Sequence, residues 1–102
     1  MYEISIERHF AGAHALRSCG TKCERLHGHN WFVRVHVRSA SLDPKVGYVM
    51  DFAKLKMILD KVLLRLDHKN LNKVFPFDKT NPTAENLACY IYRETAKLLK
   101  RH

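Results

Sequence analysis

Cys23-Glu24-Arg25-Leu26-His27-Gly28-His29-Asn30-Trp31-Phe32-Val33-Arg34-Val35-His36-Val37-Arg38 decides how this chain folds. From His27 onward it alternates. His27, His29, Trp31, Val33, Val35 and Val37 share one parity, and Arg34, His36 and Arg38 share the other. A two-residue period puts alternate side chains on opposite faces, so residues 27–38 are predicted to form a strand with one apolar face. The two histidines lie at the end of that face, both rings on the same side. This suits two imidazole ligands of one metal ion. A bulge at Gly28 would break the parity. Cys23, just upstream, is either a third ligand or a reactive thiol held beside the metal.

Working outward, Tyr2, Ile4 and Ile6 alternate with Glu3, Ser5 and Glu7, which predicts a first strand over residues 2–10. Ala11-Gly12-Ala13-His14-Ala15 follows, with His14 where that strand ends or bulges. Residues 17–26 are polar, contain Gly20 and read as a loop. Asp43-Pro44-Lys45-Val46-Gly47 has turn composition. Asp51 is a good N-cap for a helix carrying Phe52, Leu55, Leu59, Val62, Leu63 and Leu66 at helical spacing. The stretch from Asp67 to Pro82 reads as a loop. Thr83 then caps a second helix, with an apolar face of Leu87, Ala88, Ile91, Thr95 and Leu98, running to Arg101-His102. Two strands and two helices make a narrow α+β unit. A two-stranded sheet is marginal alone, so other subunits or further C-terminal strands are expected to complete it.

Bulk properties fit one domain over residues 1–102, with 46% hydrophobic residues, which argues against disorder. No apolar run approaches the roughly 18 residues of a membrane span. The N-terminus lacks the basic and apolar regions of a secretory signal. Cys19, Cys23 and Cys89 are an odd set, so no disulfide framework is expected and a reducing cytoplasm is the default. The net charge of +8 fits nucleic acid or a phosphorylated small molecule, but no aromatic-interleaved basic motif is present. Basic residues on solvated helix faces explain Lys54, Lys56, Lys61, Arg65, Lys97, Lys100 and Arg101.

His14, His27 and His29 could supply three nitrogen ligands and leave a fourth tetrahedral position open, the pattern of catalytic zinc. The rival is a closed Cys19-x3-Cys23-x3-His27-x-His29 site in a zinc-stabilised nucleic-acid-binding module. Its spacing is poor, because zinc fingers separate their ligand pairs by about a dozen residues. Histidines without any metal are the bland reading. Cys23 lies between Lys22 and Glu24-Arg25, where positive neighbours and a metal favour the thiolate. Cys89, beside apolar helix positions, reads as core. Asp67-His68 is either a helix-end cap interaction or a carboxylate fixing a proton-relay imidazole.

Taken together, Ala13-His14, Cys23-x3-His27-Gly28-His29, Gly47-Tyr48-Val49-Met50-Asp51-Phe52, Leu66-Asp67-His68-x-x-Leu71-Asn72 and Asn81-Pro82-Thr83-Ala84-Glu85-Asn86 resemble the 6-pyruvoyl-tetrahydropterin synthase family. The resemblance is closest to its bacterial 6-carboxy-tetrahydropterin synthases of queuosine biosynthesis. It implies the tunnelling fold, an antiparallel sheet with two helices between strand pairs. It also implies a homo-oligomer, trimer or hexamer, with active sites between subunits. Zinc (Zn2+) would be held by His14, His27 and His29, Cys23 would be the general base, and Asp67 with His68 the relay pair. Thr83 would touch substrate. The implied partner is 7,8-dihydroneopterin triphosphate, with loss of triphosphate, and neither nucleic acid nor a membrane. Family members continue with two more strands and a pterin-anchoring glutamate, which is not present before His102. A zinc-binding but inactive shortened member is therefore an alternative. A variant aldol cleavage to 6-hydroxymethyl-dihydropterin tends to alter the cysteine position, which here is Cys23 beside Glu24.

Overall fold

The structure is a computed structural model and describes residues 1–100; the helical end expected at Arg101-His102 lies outside the described residues. Two long strands dominate it, β1 (Tyr2–His14) and β2 (His27–Ser39). They pair antiparallel without interruption, from Tyr2 opposite Ser39 to His14 opposite His27. No bulge occurs at Gly28, which stands opposite Ala13. The first strand thus runs four residues beyond the expected end. Ala11, Gly12 and Ala13 carry too little side chain to show an alternation, and the ladder with β2 holds them extended. A two-residue strand, β3 (Lys69–Asn70), adds to the free edge of β1 in parallel, giving the order β2-β1-β3.

Directly opposed residues of an antiparallel pair point to the same face. Ile6 opposite Val35, Phe10 opposite Trp31 and His14 opposite His27 therefore form one continuous face. The helices α1 (Phe52–Leu63) and α2 (Ala84–Lys100) pack on it. The core joins Ile6 and Phe10 to Leu55, Leu59, Val62, Leu63 and Leu66, and to Leu87 and Ile91 of α2. The opposite face is exposed and mostly polar, with Glu3 paired to Arg38 and Glu7 to Arg34, and with Phe32 as its exposed aromatic.

Asp51 caps α1 as its residue type predicts, its carboxylate accepting from the Ala53 N–H at 2.9 Å. Replacing Asp51 with alanine leaves that donor unpaired and should cost about 1 kcal/mol of stability in urea unfolding. Thr83 caps α2, its hydroxyl oxygen accepting from the Asn86 N–H at 3.0 Å. The 67–82 segment is more than a loop. It contains β3, a single 3-10 turn over Leu71–Lys73, and three fully buried side chains, Leu71, Phe77 and Pro82. Gly12 permits this packing, because a Cβ there would come within 3.2 Å of Leu71 Cδ1.

Two expectations for the cysteines are corrected. Cys89 is exposed rather than core. It lies two residues from Leu87, about 200° around the helix from that core-facing position. Cys19 and Cys23, expected to be reduced, are joined as a disulfide. Thr21 caps a short 3-10 turn (Lys22–Glu24), and Ser18 and Gly20 adopt positive φ, which folds the loop back on itself. The Cα atoms of the two cysteines come to 6.4 Å, within disulfide range. No described helix is long and apolar enough to cross a membrane.

Candidate metal centre and proton-transfer groups

The unbroken register places all three candidate histidines together. His14 ends β1 opposite His27, and His29 stands opposite Gly12. Their ring centroids lie 4.6 Å (His14–His27), 4.7 Å (His27–His29) and 5.2 Å (His14–His29) apart. Their ligand-type nitrogens all lie within 4.8 Å of one another. Small ring rotations would bring three such nitrogens onto one ion, since ligands of tetrahedral zinc sit about 3.3 Å apart.

Surrounding groups prepare the rings for that role. The Pro82 carbonyl lies 2.7 Å from His14 Nδ1, and the Arg25 carbonyl 2.7 Å from His27 Nδ1. A carbonyl can only accept, so each Nδ1 carries the hydrogen and each Nε2 keeps its lone pair for a ligand. Burial depresses the His14 pKa, against the raising effect of the Pro82 hydrogen bond, and the neighbouring His27 and His29 depress it further. His14 therefore stays in the neutral form that binds metal. Trp31 packs edge-on against His14 and His29 at 5.0 and 5.2 Å, and its Nε1–H donates to the Gly12 carbonyl. It separates the histidines from the core. His14 is buried, His27 half-buried and His29 exposed, so the cluster opens to solvent on one side. Three imidazoles with one open side fit a catalytic metal better than a closed structural one.

Cys23 lies in the loop that leads from β1 back to His27. Its sulfur is 2.9 Å from the Thr21 hydroxyl, and its carbonyl accepts from the Leu16 N–H at 2.7 Å. The disulfide to Cys19 occupies the thiol that would act as a base. Asp67 and His68 lie beside the free edge of β1. Asp67 Oδ1 accepts from the Ala11 N–H at 2.9 Å and sits 3.0 Å from His68 Nδ1. The Ala11 N–H, and then His68, hold the Asp67 carboxyl below the usual carboxylate range. His68 has φ 58°, a left-handed conformation uncommon outside glycine, and its side chain is 81% exposed. The side chains of this pair bind Ala11 and each other, whereas Cys23 binds Thr21 and Leu16. Thr83 is engaged at the start of α2, where its hydroxyl oxygen accepts from the Asn86 N–H and keeps its hydrogen and a second lone pair.

Asn72 and Asn81 join the site although the sequence gives neither a role in it. Each makes a two-point contact with the segment leaving His14. Their place in the quoted motifs was the only signal.

A family model described as 6-pyruvoyl tetrahydropterin synthase matches residues 3–102. The chain belongs to this family. The solved 6-pyruvoyl tetrahydropterin synthase of Caenorhabditis elegans superposes with a TM-score of 0.80 at 35% identity, covering 95% of this chain and 79% of that one. The architecture is thus the tunnelling fold of the tetrahydropterin synthases, a family of enzymes. A Pyrococcus furiosus protein named dihydroneopterin monophosphate aldolase is 43% identical over 90 residues, 88% of this chain and 71% of that protein. A Synechocystis protein named 6-carboxy-5,6,7,8-tetrahydropterin synthase is 40% identical over 96 residues, 90% of this chain and 73% of that protein. The chain spans about half the length of the synthase relatives it matches in Poecilia reticulata and Drosophila melanogaster.

Proposed function

We propose that this chain is a zinc-dependent lyase on 7,8-dihydroneopterin triphosphate, eliminating triphosphate to give 6-pyruvoyl-tetrahydropterin, or 6-carboxy-tetrahydropterin where the side chain is then cleaved with release of acetaldehyde. The convergence of His14, His27 and His29, two of them with Nδ1 tied to carbonyls, supports this reading most directly. Zinc held by these three imidazoles would supply Lewis acidity toward the side-chain hydroxyls of the substrate and acidify the adjacent C–H. Cys23, as a free thiolate, takes that proton. Asp67 holds His68 through Nδ1, which leaves Nε2 of the exposed ring to pass a proton to or from the pterin. The +8 charge suits a triphosphate. Subunits assemble as a trimer or hexamer with sites between them. The closed Cys2His2 alternative is disfavoured because the sulfurs of Cys19 and Cys23 bind each other while the three histidines converge apart from them.

The test is turnover of dihydroneopterin triphosphate by zinc-loaded protein, with triphosphate and pterin products identified by mass spectrometry. Cys23→Ala should lower triphosphate release by at least about 100-fold, the usual contribution of a positioned base. Protein oxidised at Cys19–Cys23 should be equally slow until a dithiol reduces it, because a disulfide sulfur cannot accept a proton as a thiolate does. Unchanged turnover in Cys23→Ala removes Cys23 as the base.

A second reading is aldol cleavage, favoured by the name of the Pyrococcus relative and by the sequestered Cys23 sulfur. It predicts 6-hydroxymethyl-dihydropterin as the product, formed undiminished by Cys23→Ala.

A further inference from the structure

We propose that Asn72 and Asn81 are positioning residues for the Cys23 loop, an inference that rests on Cys23 serving as the base. The side-chain amide of Asn72 binds both backbone groups of Ala15. Its Oδ1 accepts from the Ala15 N–H at 2.8 Å, and its Nδ2 donates to the Ala15 carbonyl at 2.8 Å. Asn81 does the same two residues later, accepting from the Arg17 N–H at 2.8 Å and donating to the Arg17 carbonyl at 2.8 Å.

The residue between them reaches the other way. The Leu16 N–H donates to the Cys23 carbonyl at 2.7 Å. Residues 15–17 are therefore gripped along one edge by two amides, and on the other edge they hold the backbone of Cys23. A primary amide is the one side chain type that matches a peptide edge at both points, offering an acceptor and a donor side by side.

Both clamps are themselves fixed. Asn70 Oδ1 accepts from the Asn72 N–H at 3.1 Å, and Asn86 Nδ2 donates to the Asn81 carbonyl at 2.8 Å. Arg17 adds its own anchor, donating from Nη2 to the Phe77 carbonyl at 2.8 Å. The segment between β3 and α2 thus sets where the loop stands relative to the histidines. Displacing a reacting group by about 1 Å can cost on the order of 100-fold in rate.

The experiment uses reduced, zinc-loaded full chain carrying Asn72→Ala or Asn81→Ala, with Asp51→Ala as a control that weakens a helix cap elsewhere. Two quantities are read: the rate of Cys23 alkylation by iodoacetamide, followed by peptide mass, and kcat with KM for triphosphate release. Each asparagine variant should change the alkylation rate at least fivefold and lower kcat about 10- to 100-fold, with KM within threefold and one zinc retained. Asp51→Ala should leave both readouts near wild type. If the alanine variants precipitate, Asn72→Asp and Asn81→Asp are read in the same way, since they keep the acceptor and lose the donor. Alkylation within twofold of wild type in the asparagine variants, or an equal change in Asp51→Ala, overturns the proposal. Altered alkylation in a protein that turns over no pterin upholds the positioning and removes the base assignment instead.

Discussion

Replacing His14 with alanine is expected to strip the protein of zinc and abolish pterin turnover. His14 is the most enclosed of the three histidines, at 5% exposure, and its Nδ1 is committed to the Pro82 carbonyl. Its Nε2 is thus directed to the cluster with its lone pair free. Losing only an outer-shell partner of a metal ligand typically costs 10- to 100-fold in affinity. Losing the ligand itself, and with it the Pro82 bond, should exceed about 100-fold. Zinc content after dialysis and competition with a chromophoric chelator measure this directly. His36→Ala is the matched control, because His36 lies on the opposite, solvent face of β2 beside Glu3. It should retain one zinc and near-normal turnover. A dialysed His14→Ala protein that is folded by circular dichroism and still carries one zinc would remove His14 from the ligand set.

The histidine site was legible because a strand has a two-residue period and because bulky apolar side chains mark its faces. Val33, Val35 and Val37 declare which face is buried, and His27 and His29 inherit that face by parity. His14 was legible as a ligand type but not as a strand residue. Its neighbours Ala11, Gly12 and Ala13 give no pattern, and their extended form is imposed by Asn30, His29 and Gly28 across the ladder. The helices announced themselves through Asp51, Thr83 and the leucine spacing.

What stayed hidden depends on contacts distant in sequence. Nothing periodic marks Leu71 or Phe77 as core, since each is buried by elements far along the chain. The amide clamps of Asn72 and Asn81 span 57 and 64 positions and have no local signature. The pairing of Cys19 with Cys23 follows from the left-handed Ser18 and Gly20 and from the turn capped by Thr21, none of which is visible in a count of cysteines. Cys89 was misplaced because apolar neighbours in sequence are not neighbours on a helix face. Leu87 and Ile91 share a face four residues apart, and Cys89 lies between them on the other side.

The second large effect is expected at Phe77, in the segment that reads as a loop. Its side chain is 1% exposed, and its ring meets Tyr90 of α2 at 5.4 Å. Truncating a buried phenylalanine to alanine removes its transfer free energy and leaves a cavity, typically costing about 3–5 kcal/mol. Against a total stability of about 5–15 kcal/mol for a domain of this kind, that is a large fraction. The melting temperature should fall by more than about 10 °C. Phe75, two residues earlier and 78% exposed, provides the contrast. Phe75→Ala should stay within about 0.5 kcal/mol of the parent. The Phe77 carbonyl also accepts from Arg17, so the segment that completes the core is the same one that steadies the chain leaving His14. Phe77→Ala should therefore unfold at lower urea while still binding one zinc below its transition, because the backbone acceptors of Arg17 and His14 remain. Equal losses for Phe75→Ala and Phe77→Ala would show that the 74–77 segment is not seated in the core, and the clamp on the Cys23 loop would lose its foundation with it.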